Sequence, residues 1–179
     1  MYNAPNNQVM LLVKRNHMKP IKSERGQSLV ELAISITILI FLLAGAVEFG
    51  MAFFQFVQLR DAAQEGALYG STNPNNVSGI ETRIRGASNS PIDLNSGDVT
   101  IAISIDGIPS TDTANYQTIN CEGHGLEVLV SYKHKIFMPF IPAFIGDTEI
   151  PLRATVTDTI LSPINPTSPP AGPCPPPPP

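Results

Sequence analysis

The chain has 179 residues, of which 42% are hydrophobic and 15% charged, with no tryptophan and a formal net charge of −4. That length holds one ordinary domain plus appendages. The basic residues Lys14, Arg15, Lys19, Lys22 and Arg25 crowd the first 26 positions, while acidic residues predominate after position 55. The basic residues form no helical stripe with interleaved aromatics, so no nucleic-acid partner is expected. A basic flank ahead of an apolar run instead points to an N-terminus held in the cytoplasm.

In chain order, residues 1–26 are polar, basic and aperiodic, and read as a cytoplasmic leader. From Leu29 to Val57 the sequence is apolar except for Glu31, Glu48 and the polar residues Ser35, Thr37 and Gln55. It predicts a membrane span at about residues 32–54. No proline falls between Ile21 and Asn73, so the helix is free to continue outward. Gln55–Ser71 is amphipathic, with Phe56, Leu59, Ala63 and Ala67 on one stripe, and Gly70 and "STNPNN" end it. The prediction is one helix over 27–71, roughly 65 Å at ~1.5 Å per residue, about twice the ~30 Å hydrocarbon thickness.

Residues 72–160 read as an extracytoplasmic α+β domain. Asp98–Ile105, Leu126–Tyr132 and Glu149–Ile160 alternate apolar and polar residues as strands do, and Asp106-Gly107 is a turn signal. Pro151 assigns the last strand to an edge or a bulge. A short helix is expected at Ile80–Ala87. So few strands need a cover for their apolar face, and the outer half of the long helix supplies one. The expected fold is α+β: a long N-terminal helix, membrane half plus amphipathic half, packed on a small antiparallel sheet. Residues 161–179 form a Pro-rich tail, either a bare polyproline II end or a docking segment.

The chemistry-bearing residues are sparse. Cys121 and Cys174 both follow the apolar run, where a disulfide between them is allowed. Cys121-Glu122-Gly123-His124 offers too few ligands for a zinc tetrahedron and reads as a loop. With no nucleophile–His–acid arrangement and no Gly-rich phosphate loop, the chain is not expected to be an enzyme. Nor is a metal, a cofactor or a small-molecule substrate expected. Asn76-Val77-Ser78 fits a glycosylation sequon, a match common by chance. "IFMPFIPAFIG", Ile136–Gly146, is very apolar for a connection, and either caps the sheet core or lies exposed as a docking patch.

The N-terminal stretch admits three readings. Ala44-Gly45-Ala46 suits a secretory signal cut before Val47. An ordinary anchor would place Glu31 and Glu48 roughly 25 Å apart, each snorkelling to an interface. In the third, a basic leader ends at Gly26, Gln27-Ser28 follows, and Glu31 stands fifth after the glycine ahead of a long apolar helix. That arrangement resembles the class III signal of type IV pilin-like proteins. Ala46-x-x-x-Gly50 adds a small-x-x-x-small surface suited to helix packing.

"RGQSLVELA…VEFG…AAQEGALYGS" is similar to the TadE-like family of tight-adherence (Flp) pilus pseudopilins, on Arg25, Gly26, Val30 and Glu31, then Glu48, Phe49 and Gly50, then Ala62, Ala63, Glu65, Gly66 and Ala67. The resemblance implies a pilus-assembly component in the cell membrane, N-terminus inside and C-terminal domain outside. It implies partners among the membrane, a prepilin peptidase, other pilins or pseudopilins and the assembly machinery. The peptidase would cut between Gly26 and Gln27, and Glu31 would serve processing or assembly by facing the new amine of a neighbouring subunit. Thr37 stands near a position where the family often has proline, Leu32 where the major Flp pilins have tyrosine, and Gln64 and Leu68 where a basic pair is common. The leucine favours a minor pseudopilin over the filament subunit. The alternative from another class is a signal-anchored or secreted small β domain that binds a surface ligand.

Overall fold

The structure, a computed structural model, describes residues 24–138, 141–161, 175 and 176, apart from the side chains of residues 24, 25 and 144. It comprises two compact units, Met1–Ile40 and Phe41–Pro179. Helix α1, Glu24–Thr72, belongs to both, and it is longer by a few residues than the 27–71 expected. In the first unit every described side chain of α1 is exposed. Thr37, the residue standing near the expected proline position, donates its hydroxyl to the Ala33 carbonyl at 2.8 Å. The helix thus absorbs its own polar side chain, which an apolar surrounding demands.

The second unit is α+β. It contains α2 (Val77–Gly86), β1 (Val99–Ile105), β2 (Ile108–Pro109), α3 (Thr113–Thr118), β3 (Gly125–Lys135), α4 (Ile141–Ile145) and β4 (Glu149–Thr159). The strands form one antiparallel sheet in the order β2-β1-β3-β4. Ile103 faces Val128 and Val130 faces Ala154, so the alternating apolar residues line up on one face. That face meets Leu59, Ala62, Ala63 and Ala67 of α1 and Ile80 and Ile84 of α2 in a single core. Pro151 sits in β4, an edge strand as its missing N–H requires. The two-residue link between β1 and β2 is Asp106-Gly107, with φ of 47° and 82°, the left-handed pair that a tight hairpin turn needs.

Three details depart from the expectation. Phe56 is exposed and Gln58 is buried in its place, its amide exchanging two 2.7 Å hydrogen bonds with the Ile92 main chain. The stripe therefore follows a four-residue step through 58–59, 62–63 and 66–67, two positions wide. Helix α2 starts at Val77 rather than Ile80, because the Asn76 side chain caps it by accepting from the Gly79 N–H at 2.9 Å. The sequon asparagine is thereby a helix cap. Helix α3 and strand β2 were not expected, being too short to carry a periodic pattern.

Helix α3 places Tyr116 in the core, where its hydroxyl donates to the Pro74 carbonyl at 3.0 Å. Burial raises its phenol from 10.0 to about 12. Because the folded state favours the neutral form, this contribution is complete below pH ~10 and is lost as pH rises toward ~12. In a spectrophotometric titration, one of the four tyrosines should ionise after the others, together with the onset of unfolding. Tyr116→Phe should abolish that late step and cost about 1–3 kcal/mol by orphaning the carbonyl.

Candidate functional site

The residues singled out in the sequence fall into three places. Gly26, Gln27 and Glu31 lie in the exposed first unit on helical backbone, and a Cβ added at Gly26 would meet nothing within 4 Å. A peptidase approaching Gly26–Gln27 thus finds no obstructing side chain among the described residues. Glu31 is likewise open to the surroundings.

Glu48 is the opposite case, a carboxylate only 5% exposed. The parity of β3 explains it. Leu126, Val128, Val130 and Tyr132 point toward the helices, and His134 is the next residue of that row. Its Nε2 donates to Oε1 of Glu48 at 2.9 Å, while Nδ1 lies 2.6 Å from the side-chain oxygen of Gln55. Past β3 the main chain turns across α1. There the N–H groups of Phe137 and Met138 donate to Oε1 and Oε2 of Glu48 at 3.0 and 3.2 Å. One carboxylate therefore accepts from a buried imidazole and two consecutive amides, and it pins the β3–β4 connection to the helix. Phe49, next in sequence, is exposed, and Gly50 is half-buried with open space where a Cβ would go.

The third group is a close-packing motif. Ala62, Ala63 and Ala67 are buried to 1% exposure or less. A Cβ at Gly66 would stand 2.4 Å from Cγ1 of Ile84, and one at Gly70 would stand 2.2 Å from Cδ2 of Leu126. Here side chains of α2 and β3 approach the α1 backbone so closely that any added side chain requires Ile84 or Leu126 to shift. Glu65 lies on the flank, 3.5 Å from Arg83, whose guanidinium also stacks over Tyr69. In this chain the small residues of the segment pack against α2 and β3.

At the far end of β3, His124 and Asp106 close the β1–β2 turn. Nδ1 of His124 is 2.5 Å from Oδ2 of Asp106, whose Oδ1 accepts from the Gly125 N–H at 2.9 Å. The other ring nitrogen meets the Pro175 carbonyl at 3.0 Å. Cys121 is disulfide-bonded; Cys174, the second of the two cysteines in the sequence, lies outside the described residues. The sequence reading missed the Glu48–His134 pair. The strand parity that puts His134 on the inner face was available, but nothing local to either residue indicates the other.

A family model described as TadE-like protein matches residues 26–68, from the leader glycine through the small-residue motif. Over that stretch the chain is similar to TadE-like proteins, a family associated with tight-adherence pili. Among the described residues, one helix, within Gly26–Thr72, is long and apolar enough to cross a membrane. No curated protein and no solved structure matches the chain.

Proposed function

We propose that this TadE-like chain is a pseudopilin-like component of tight-adherence pilus assembly, anchored by a single span with its N-terminus in the cytoplasm and cut after Gly26 by a prepilin peptidase. The observation that carries this reading is the family match over 26–68, which begins at the very glycine of the proposed cut. The exposure of α1 from Gly26 onward supports it. The cut creates a cationic α-amine, and Glu31 provides a carboxylate that neutralises such an amine, on a neighbouring subunit, where the dielectric is low. The role is that of a peptidase substrate and assembly partner, not of an enzyme.

The hydrocarbon-spanning part is Leu29–Val47, roughly 28 Å at ~1.5 Å per residue. The burial of Glu48 against His134 and the 137–138 main chain supports ending it there. This is shorter at its outer end than the 32–54 that hydropathy alone suggests. Phe49–Phe54 then belong to the base of the α+β domain.

Co-expression with a prepilin peptidase followed by N-terminal sequencing of the product tests the proposal. A product beginning at Gln27 is expected. One beginning at Val47 identifies a secretory signal, and an intact leader identifies a plain anchor; either overturns the proposal. Glu31→Ala should still be cut but should fail to support piliation, and normal pili in that variant would remove the assembly role from Glu31.

A further inference from the structure

We infer that Asp106 and His124 form a proton-operated latch for the C-terminal segment at Pro175. The pair holds the Pro175 carbonyl on the domain while the imidazole carries both of its ring protons, and lets it go when one is lost. The His124 side chain is only 2% exposed and that of Asp106 16%. Nδ1 of His124 lies 2.5 Å from Oδ2 of Asp106, and Nε2 lies 3.0 Å from the Pro175 carbonyl oxygen. The main chain fixes both members. The His124 N–H donates to the Cys121 carbonyl, and its own carbonyl accepts from the Ile160 N–H. Asp106 donates its N–H to the Gly125 carbonyl, and its Oδ1 accepts from the Gly125 N–H. Each ring nitrogen is thus held against one oxygen.

The count of protons decides what this arrangement does. A carbonyl only accepts, and so does an ionised carboxylate. Two hydrogen bonds to such groups need two protons, wherever the one shared by Asp106 and Nδ1 resides. A neutral imidazole has a single N–H. The charged partner keeps it, since a bond to a carboxylate is the stronger of the two. The Nε2 lone pair then faces the Pro175 oxygen, and in a buried site that repulsion is poorly screened. The second proton is therefore the condition for seating Pro175. The latch is closed at low pH and opens as the pH rises through the range of about 5 to 8, where histidine changes charge.

The surroundings favour the doubly protonated ring. His124 is bonded to the 121 loop and the end of β4, and Leu161 beyond it to Ser71 of α1. Residues 66–73, 106–127 and 154–161 contain no Lys or Arg, and besides Asp106 their carboxylates are Asp112, Glu122, Glu127 and Asp158. Tyr116 on α3, raised to about 12, stays neutral throughout. Pro175 is exposed and begins a run of five prolines in the sequence, so opening frees the head of that run from the domain.

The chain has no tryptophan, so Pro176→Trp, at an exposed position next to the latch, is a unique reporter. Its emission anisotropy is followed in the full chain, detergent-solubilised, from pH 5 to 9. The chain is kept oxidised, since Cys121 is disulfide-bonded and Cys174 neighbours Pro175 in the sequence. The expected trace is high at low pH and falls in one step as the pH rises, while hydrogen exchange at the Gly125 N–H shows the turn intact. Asp106→Asn then isolates the proton count. Asparagine tolerates the left-handed backbone at this position, keeps an oxygen for Gly125, and has an NH2 that donates to Nδ1. The neutral ring then turns its N–H to Pro175, so the variant should stay high across the range. A flat trace for the unaltered latch overturns the inference. So does a step that persists in Asp106→Asn, which would belong to His17, His134 or another group. A low, flat trace in Asp106→Asn shows that seating needs the carboxylate charge rather than a second proton, and also overturns it. Loss of Gly125 protection together with the step means that the domain itself opens, with the same consequence.

Discussion

Glu48→Ala should cost the α+β domain about 3–5 kcal/mol, the range for removing one side of a buried, hydrogen-bonded pair. The substitution leaves the His134 Nε2–H and the Phe137 and Met138 N–H groups without their acceptor. An orphaned buried donor costs about 1–3 kcal/mol, and the two amides are only partly buried, so three such losses together stay near the low end of their sum, consistent with about 3–5 kcal/mol. Glu48→Gln keeps an oxygen for one side of the cluster but sets an NH2 against the other, and should cost about 1–3 kcal/mol. The measurement is urea unfolding of the detergent-solubilised full chain, with hydrogen exchange at residues 137 and 138 as the local readout. His134→Ala combined with Glu48→Ala should cost clearly less than the two single effects added, since both remove the same contact. A loss below about 0.5 kcal/mol for Glu48→Ala, the level of an ordinary surface change, would sink the role assigned to this carboxylate.

Gly66→Leu should be at least as damaging to folding as Gly66→Ala, which already forces a Cβ to 2.4 Å from Ile84 Cγ1 and 2.7 Å from its Cδ1. Overpacking of that kind costs about 1–3 kcal/mol and sometimes more, whereas replacing glycine by alanine in a helix returns about 1 kcal/mol. For alanine the two nearly offset; for leucine the added volume has nowhere to go, and α2 must lift from α1. The control is Gly45→Ala, which meets nothing within 4 Å and should be neutral or slightly stabilising. Pairing Gly66→Val with Ile84→Ala should recover part of the loss, because the truncated isoleucine vacates the space the new side chain needs. Equal unfolding midpoints for Gly66→Leu and the unaltered chain would show that α2 is free to move away.

The long helix was legible from its proline-free apolar run and amphipathic outer half, and the three long strands because each alternates over seven or more residues. Pro151 narrowed β4 to an edge or a bulge, and the strand order makes it the edge. Helix α2 was placed three residues late because Asn75-Asn76 reads as a breaker until the Asn76 side chain is seen capping Gly79. Phe56 joined the expected stripe on hydrophobicity, but small residues at 62, 63, 66 and 67 set the line of contact, and it passes through Gln58. The site was legible in halves. Glu31 and Gly26 are proposed from local spacing alone. The meaning of Glu48 depends on His134, 86 residues away, and a separation of that size leaves no mark in any sequence window. The same holds for the small-residue motif, whose partners on α2 and β3 are visible only once the chain has folded back.

The distance in sequence between Glu48 and its partners also sets a timetable. The acceptor is made first and its donors arrive 86–90 residues later, which at ~5–20 residues per second is roughly 4–18 s of synthesis. Through that interval the outer half of α1 exists without the sheet that covers it, and its carboxylate and its alanine–glycine stripe stand open. A helix of another chain made nearby can therefore meet this one before its own domain closes. Once the sheet is complete through β4, closure of the domain covers that stripe, so the outer half of α1 is most open while the chain is being made.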